Sequence, residues 1–194
     1  MGNNFYFFGD SICFGQYVSV EKTWVCKTAA YFNRQCEKYV FMNPSVPGNT
    51  TRDALNRFSY DVLSRNPDCI YMQFGMNDCN IWETVNGMER VPKASFAANL
   101  KELYDSAIAQ GVKTVIFGTN HPSAKNAEYD LRNAEYNEIT RAFCRVYNIR
   151  IIDNEKDWET LDHVPLLLPD GIHLNELGHD YYYMNFITNL SEIL

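Results

Sequence analysis

Phe5-Tyr6-Phe7-Phe8-Gly9-Asp10-Ser11-Ile12-Cys13 is the stretch whose reading decides the fold. An apolar, aromatic run breaks off at a glycine, an acid and a serine. A run that is apolar at every position suits a strand covered on both faces of a parallel sheet, not a half-wet strand with alternating residues. Counting this run as Asn4–Phe8, four more of the same character follow at Lys38–Met42, Cys69–Phe74, Lys113–Phe117 and Ile149–Ile152. Longer stretches with helical spacing lie between them. In Lys93–Gln110 the apolar residues Phe96, Leu100, Leu103 and Ala107 recur at helical intervals, and Gly111 follows as a C-terminal glycine. Asn49-Thr50-Thr51-Arg52-Asp53 reads as a capping segment for a helix through about Ser64, and Ala127–Val146 and Asn175–Leu190 read as two further helices.

This alternation predicts a doubly wound α/β fold with five parallel strands. The 194 residues show no repeat, low-complexity tract or linker, so one domain over residues 1–194 is expected. Ligands of open α/β sheets bind beyond the carboxyl ends of the strands. The residues that matter for function are therefore those just after each strand.

Composition narrows the partners. With 17 basic against 24 acidic residues the chain carries a net charge of −7, which argues against nucleic acid and against an anionic membrane surface. No apolar run approaches the ~18 residues of a membrane span. The six cysteines form no C-x-x-C and flank no histidine at zinc-site spacing. Strand-like sequence begins by Phe5 with no signal-peptide pattern ahead of it, so free thiols and a cytoplasmic setting are expected. Scattered aromatic residues leave room for a homo-oligomer.

Ser11 follows the first strand directly. A serine hydroxyl becomes a nucleophile only when a neighbouring base takes its proton, and the commoner use of a serine there is a helix N-cap. Of four histidines, His121, His163, His173 and His179, one has a carboxylate at useful spacing. Leu168-Pro169-Asp170-Gly171-Ile172-His173 places Asp170 three residues before His173 in a turn. Asp170 can then accept from one ring nitrogen and leave the other to face Ser11, although an Asp-Gly turn beside a histidine is the bland alternative. Donors for an oxyanion are available in two other loops after strands. They are Gly48 in Pro47-Gly48-Asn49-Thr50, otherwise a tight turn, and the Asn77 amide in Gly75-Met76-Asn77-Asp78, otherwise a helix cap.

Together these blocks resemble the SGNH subgroup of the GDSL esterase/lipase family. Gly9-Asp10-Ser11, Gly48 in P-G-N-T-T, Asn77 in G-M-N-D, and Asp170 with His173 in D-G-I-H occur in the family's order, and Leu174-Asn175-Glu176-Leu177-Gly178-His179 follows as L-N-x-x-G-H. The resemblance implies a three-layer α/β/α sandwich with a five-stranded parallel sheet, and Ser11 as nucleophile, His173 as general acid/base and Asp170 as its orienting carboxylate. It implies an oxyanion hole of the Ser11 and Gly48 backbone N–H groups with the Asn77 side chain. No metal or organic cofactor is implied, and the partner is a small-molecule ester. The favoured substrate is an acetyl or short-chain ester, including acetylated carbohydrate. A lysophospholipase or thioesterase, or a catalytically silent binding member, is the alternative. A G-x-S-x-G elbow and a G-x-x-x-x-G-K-[ST] phosphate loop are both missing, which sets aside the other hydrolase and nucleotide-binding readings of such a sheet.

Overall fold

The computed structural model describes residues 3–35, 39–82 and 86–191. Five strands form one parallel sheet: β1 (Asn3–Gly9), β2 (Tyr39–Met42), β3 (Cys69–Gln73), β4 (Thr114–Gly118) and β5 (Arg150–Ile152). They lie in the order β2-β1-β3-β4-β5, so the chain reverses its direction of travel between β1 and β3. A crevice at that switch point is where such sheets bind ligands. The expected second strand agrees from Tyr39 onward, Lys38 lying outside the described residues.

Alternation along the strands sorts the aromatic run onto two faces. Tyr6 and Phe8 enter a core with Ile70, Met72 and Phe117, covered by helices α3 (Thr51–Asp61), α4 (Lys93–Ala109) and α5 (Ala127–Tyr147). Phe5 and Phe7 enter the opposite core with Tyr71 and Ile116. That face is covered by α1 (Ser11–Phe14), α2 (Trp24–Gln35), α6 (Asn154–Trp158) and α7 (Glu176–Ser191). Every residue of β3 is buried, as a central strand between two helix layers must be. Each fully buried phenylalanine contributes on the order of 2–3 kcal/mol by leaving water, so the run that defines β1 also staples the two layers.

Two details depart from the sequence expectations. The helix begun at Thr51 ends at Asp61, and a separate 3₁₀ turn spans Leu63–Arg65 before left-handed Asn66. Helix α2 is not among the periodic stretches described above, yet two parallel neighbours such as β1 and β2 require a crossover. Its first turn is capped from two sides: the Thr23 hydroxyl accepts from Cys26 N, and His179 Nδ1 accepts from Trp24 N at 3.2 Å. Trp24 Nε1 in turn donates to the Ile12 carbonyl at 2.9 Å, which fixes the helix that begins at Ser11. Among the described residues no helix is long and apolar enough to cross a membrane.

Candidate active site

The loop after β1 is built by Asp10. Its carboxyl caps α1, with Oδ1 accepting from Ile12 N at 2.9 Å, and this turn sets Ser11 at the first helical position. Oδ2 accepts from the Asn77 amide at 3.2 Å, tying the loop after β3 to the loop after β1. Asp10 is wholly buried, and burial pushes its carboxyl up to about 7; the nearby Asp78 adds to this, while the Ile12 and Asn77 donors oppose it.

Asp78, beside Asn77, turns the other way. Its Oδ1 accepts both the N–H and the hydroxyl of Thr51 and so holds the start of α3. Burial pushes its carboxyl up to about 6 against those two donors. Asn-Asp therefore divides its work, with the asparagine towards Asp10 in the loop of Ser11 and the aspartate towards the helix that follows Gly48.

Gly48 occupies the tip of the turn Val46-Pro47-Gly48-Asn49, closed by Asn49 N donating to Val46 O at 3.2 Å. Its φ of +78° fits the third position of a type II turn, where glycine is favoured and proline fits the position before it. Two arginines hold this loop. Arg57 donates to Asn49 Oδ1 and Pro44 O, each at 2.6 Å, and Val46 N donates to Gly9 O at 3.1 Å, so the loop is stitched to the end of β1. Arg90 donates to the Gly48 carbonyl at 2.9 Å while its guanidinium lies 3.9 Å over the Trp82 ring. Within the described residues neither Ser11 N–H nor Gly48 N–H donates to any protein acceptor.

The last loop brings in the histidine. His173 Nδ1 donates to Asp170 Oδ2 at 2.6 Å, and Ser11 Oγ donates to His173 Nε2 at 3.0 Å. Asp170 Oδ1 accepts from Ile172 N at 2.9 Å and His173 N at 3.0 Å. Partial burial works against its charge, but the His173 side chain and these two N–H groups outweigh it and hold the carboxyl below the usual carboxylate range. The loop is braced from the segment after β4. Ser123 Oγ and Ala124 N both donate to Gly171 O, at 2.9 and 2.8 Å. Gly171 has φ +69°, and a Cβ there would lie 2.5 Å from Lys125 N, so this contact requires glycine.

His121, for which sequence reasoning assigned no role, completes the brace. It is fully buried, and its Nε2 donates to the Ile172 carbonyl at 2.8 Å, one residue before His173. Burial drives its imidazole down to about 3, so it stays neutral, with the proton on the nitrogen that the carbonyl needs. His179 is likewise held neutral, lowered to about 4 by burial, and caps α2 instead of facing the site. No periodicity marks either role; both depend on which chain segment packs overhead. Cys13 and Cys79 crowd these loops in sequence but point inward, Cys13 Sγ donating to Gln73 Oε1 and Cys79 Sγ to Met76 O. The Leu166–Leu168 run faces the core at Leu167, whereas Phe14 and Trp82 are half-exposed.

Five sequence-selected residues thus occupy four loops at the carboxyl ends of the strands. Ser11, His173 and Asp170 are joined by direct hydrogen bonds; Asn77 reaches Ser11's loop through Asp10; Gly48 is joined through the turn fixed by Arg57.

Solved structures share this architecture. A lipase/acylhydrolase from Enterococcus faecalis superposes with a TM-score of 0.83 at 23% identity, covering 99% of this chain and 97% of that one. Axe2, an acetylxylan esterase from Geobacillus stearothermophilus, superposes with a TM-score of 0.82 at 21% identity, covering 97% and 94%. At these identities the likeness speaks for the fold. A Bacillus subtilis protein named as the uncharacterized lipoprotein YqeF is 26% identical over 166 residues, 71% of this chain and 68% of that protein. The sequence model of the GDSL-like lipase/acylhydrolase family matches residues 7–181, nearly the whole chain and all four loops, and on that match the chain belongs to this family.

Proposed function

We propose that the protein is a serine esterase acting on acetyl or other short acyl esters, with Ser11, His173 and Asp170 as its catalytic residues. The observation that supports this reading is the unbroken hydrogen-bonded line from Asp170 Oδ2 through His173 to Ser11 Oγ. Asp170 keeps the proton on Nδ1, which leaves Nε2 as a base facing the hydroxyl. As Ser11 Oγ attacks the ester carbonyl, its proton passes to Nε2. The new charge on the carbonyl oxygen meets the free N–H groups of Ser11 and Gly48 and the second N–H of the Asn77 amide. The imidazolium returns the proton to the departing alcohol oxygen, and the acyl group stays on Ser11. Water then attacks the acyl-enzyme with His173 again as base, releasing the acid and restoring the serine.

The preference for acetyl and other small acyl groups is part of this proposal. It agrees with the acetylxylan esterases among the structural relatives, whose names describe those proteins. Hydrolysis of p-nitrophenyl esters tests it: activity is expected to fall from C2–C4 towards long chains and to vanish in Ser11→Ala. Peak activity at C12 or beyond would point to the lysophospholipase-type reading. The cytoplasmic setting is part of the proposal, resting on the free state of the five described cysteines; recovery of the native protein in a membrane or exported fraction would overturn it.

A further inference from the structure

Tyr17 stands out on backbone and side chain together. Its φ is +74°, a left-handed conformation that a bulky residue rarely adopts and that tends to persist at functional sites. The turn that leads into it hangs from Ser11 itself, since Gly15 N and Gln16 N both donate to the Ser11 carbonyl, at 2.9 and 3.1 Å. Despite that strain the ring is not used to fill the core: Tyr17 is 68% exposed. Among the described residues its one ring contact is with His173, nearly perpendicular at 83° with centroids 5.0 Å apart.

We infer that Tyr17 is a specificity-determining residue that receives the alcohol half of the ester, and that the preferred alcohol is a ring with an apolar face. This rests on the esterase reading above. The side follows from the chemistry. His173 must hand its proton to the leaving oxygen, so a group lying against the imidazole borders the leaving alcohol. The oxyanion donors Gly48 and Asn77 come from other loops. An exposed aromatic face held by a strained turn offers stacking area at little cost in freedom. A phenol and a pyranose share the flat apolar face it would take.

Three acetates with the same acyl group separate the possibilities: ethyl acetate, phenyl acetate and an acetylated methyl xyloside. Tyr17→Asn removes the ring with a residue that tolerates positive φ, and Tyr17→Phe keeps the ring. In Tyr17→Asn, kcat/KM for one or both ring alcohols is expected to drop about 3- to 10-fold, the worth of one aromatic contact. Ethyl acetate, the thermal midpoint and the rate of Ser11 labelling by a fluorophosphonate, which expels only fluoride, should hold steady. Tyr17→Phe should match the wild type, and the ring substrate that loses most identifies the alcohol. An equal drop on all three acetates, or no drop on any, would overturn the assignment while labelling persists. A wild-type protein that takes no label would overturn the esterase reading and this one with it.

Discussion

Asp10 and Asp170 are both carboxylates within three residues of a group in the proposed relay, and both accept through Oδ1 from the N–H two residues on, but they differ in burial, in the partner of Oδ2 and in the direction of their titration. Asp10 is sealed from water, touches no base, and is pushed up to about 7 by burial. Asp170 is partly exposed, grips His173 Nδ1 at 2.6 Å, and is held below the ordinary carboxylate range. Proximity in sequence to Ser11 favours Asp10 as the partner of a base, while geometry and charge favour Asp170. A carboxyl half-protonated near neutrality is a poor partner for an imidazolium, whereas one kept ionised by three donors is ready for it. Asp10 instead shapes the loop: it caps α1 under Ser11 and aims Asn77.

The comparison breaks most sharply at Asp170→Asn. An amide there leaves no carboxylate to fix the His173 tautomer, and kcat for p-nitrophenyl acetate should fall by about 10³–10⁴-fold. Asn77→Ala should cost about 10²–10³-fold in kcat with little change in KM, because the proposed oxyanion donor acts in the transition state. Asp10→Asn keeps a competent helix cap and loses one charged acceptor, so its cost should stay within about tenfold. If that cost runs through Asn77, it should disappear when Asp10→Asn is made in an Asn77→Ala background. A full additive loss in the double variant would mean that Asp10 acts elsewhere. Arg90→Ala frees the Gly48 carbonyl and should lower kcat by about 3- to 10-fold through the turn alone.

How far the sequence alone could see follows from which forces are local. The strands were legible because burial on both faces writes continuous apolar runs such as Phe5–Phe8, and the loops after them could be located by counting. Ser11, Gly48, Asn77, Asp170 and His173 stand in those loops as expected. Helix α2 was missed because its pattern is short and its capping is shared with His179, 155 residues away. The division of labour between Asn77 and Asp78 was hidden because adjacent Asn and Asp are interchangeable in turn chemistry; only the packed loops decide which meets Asp10 and which meets Thr51. His121 and Arg90 act on backbone carbonyls, and a carbonyl leaves no mark in a sequence.

The last expected effect is on stability. Between about pH 4 and pH 7 the folded protein keeps on Asp10 a proton that the unfolded chain releases, so this group's contribution is lost as pH rises through that window. Asp170 has the reverse sign: its contribution is present above its unfolded value and lost as pH falls through its lower folded value. Asp10→Asn should therefore tilt unfolding free energy upward with pH relative to wild type, by at most about 1.4 kcal/mol per pH unit. Urea midpoints at pH 5 and pH 7 give this directly, and parallel pH dependence in the two proteins would mean that the Asp10 carboxyl is not raised in the folded protein.

We propose that Ser11 is activated through His173 by Asp170 and not by its neighbour Asp10. The rate of fluorophosphonate attachment, with the modified peptide located by mass spectrometry, tests it most directly. The expected result is an adduct on Ser11 that forms on the order of 10³-fold more slowly in Asp170→Asn and within about tenfold of the wild-type rate in Asp10→Asn. No adduct on Ser11, or an Asp10→Asn protein slower than Asp170→Asn, would contradict it.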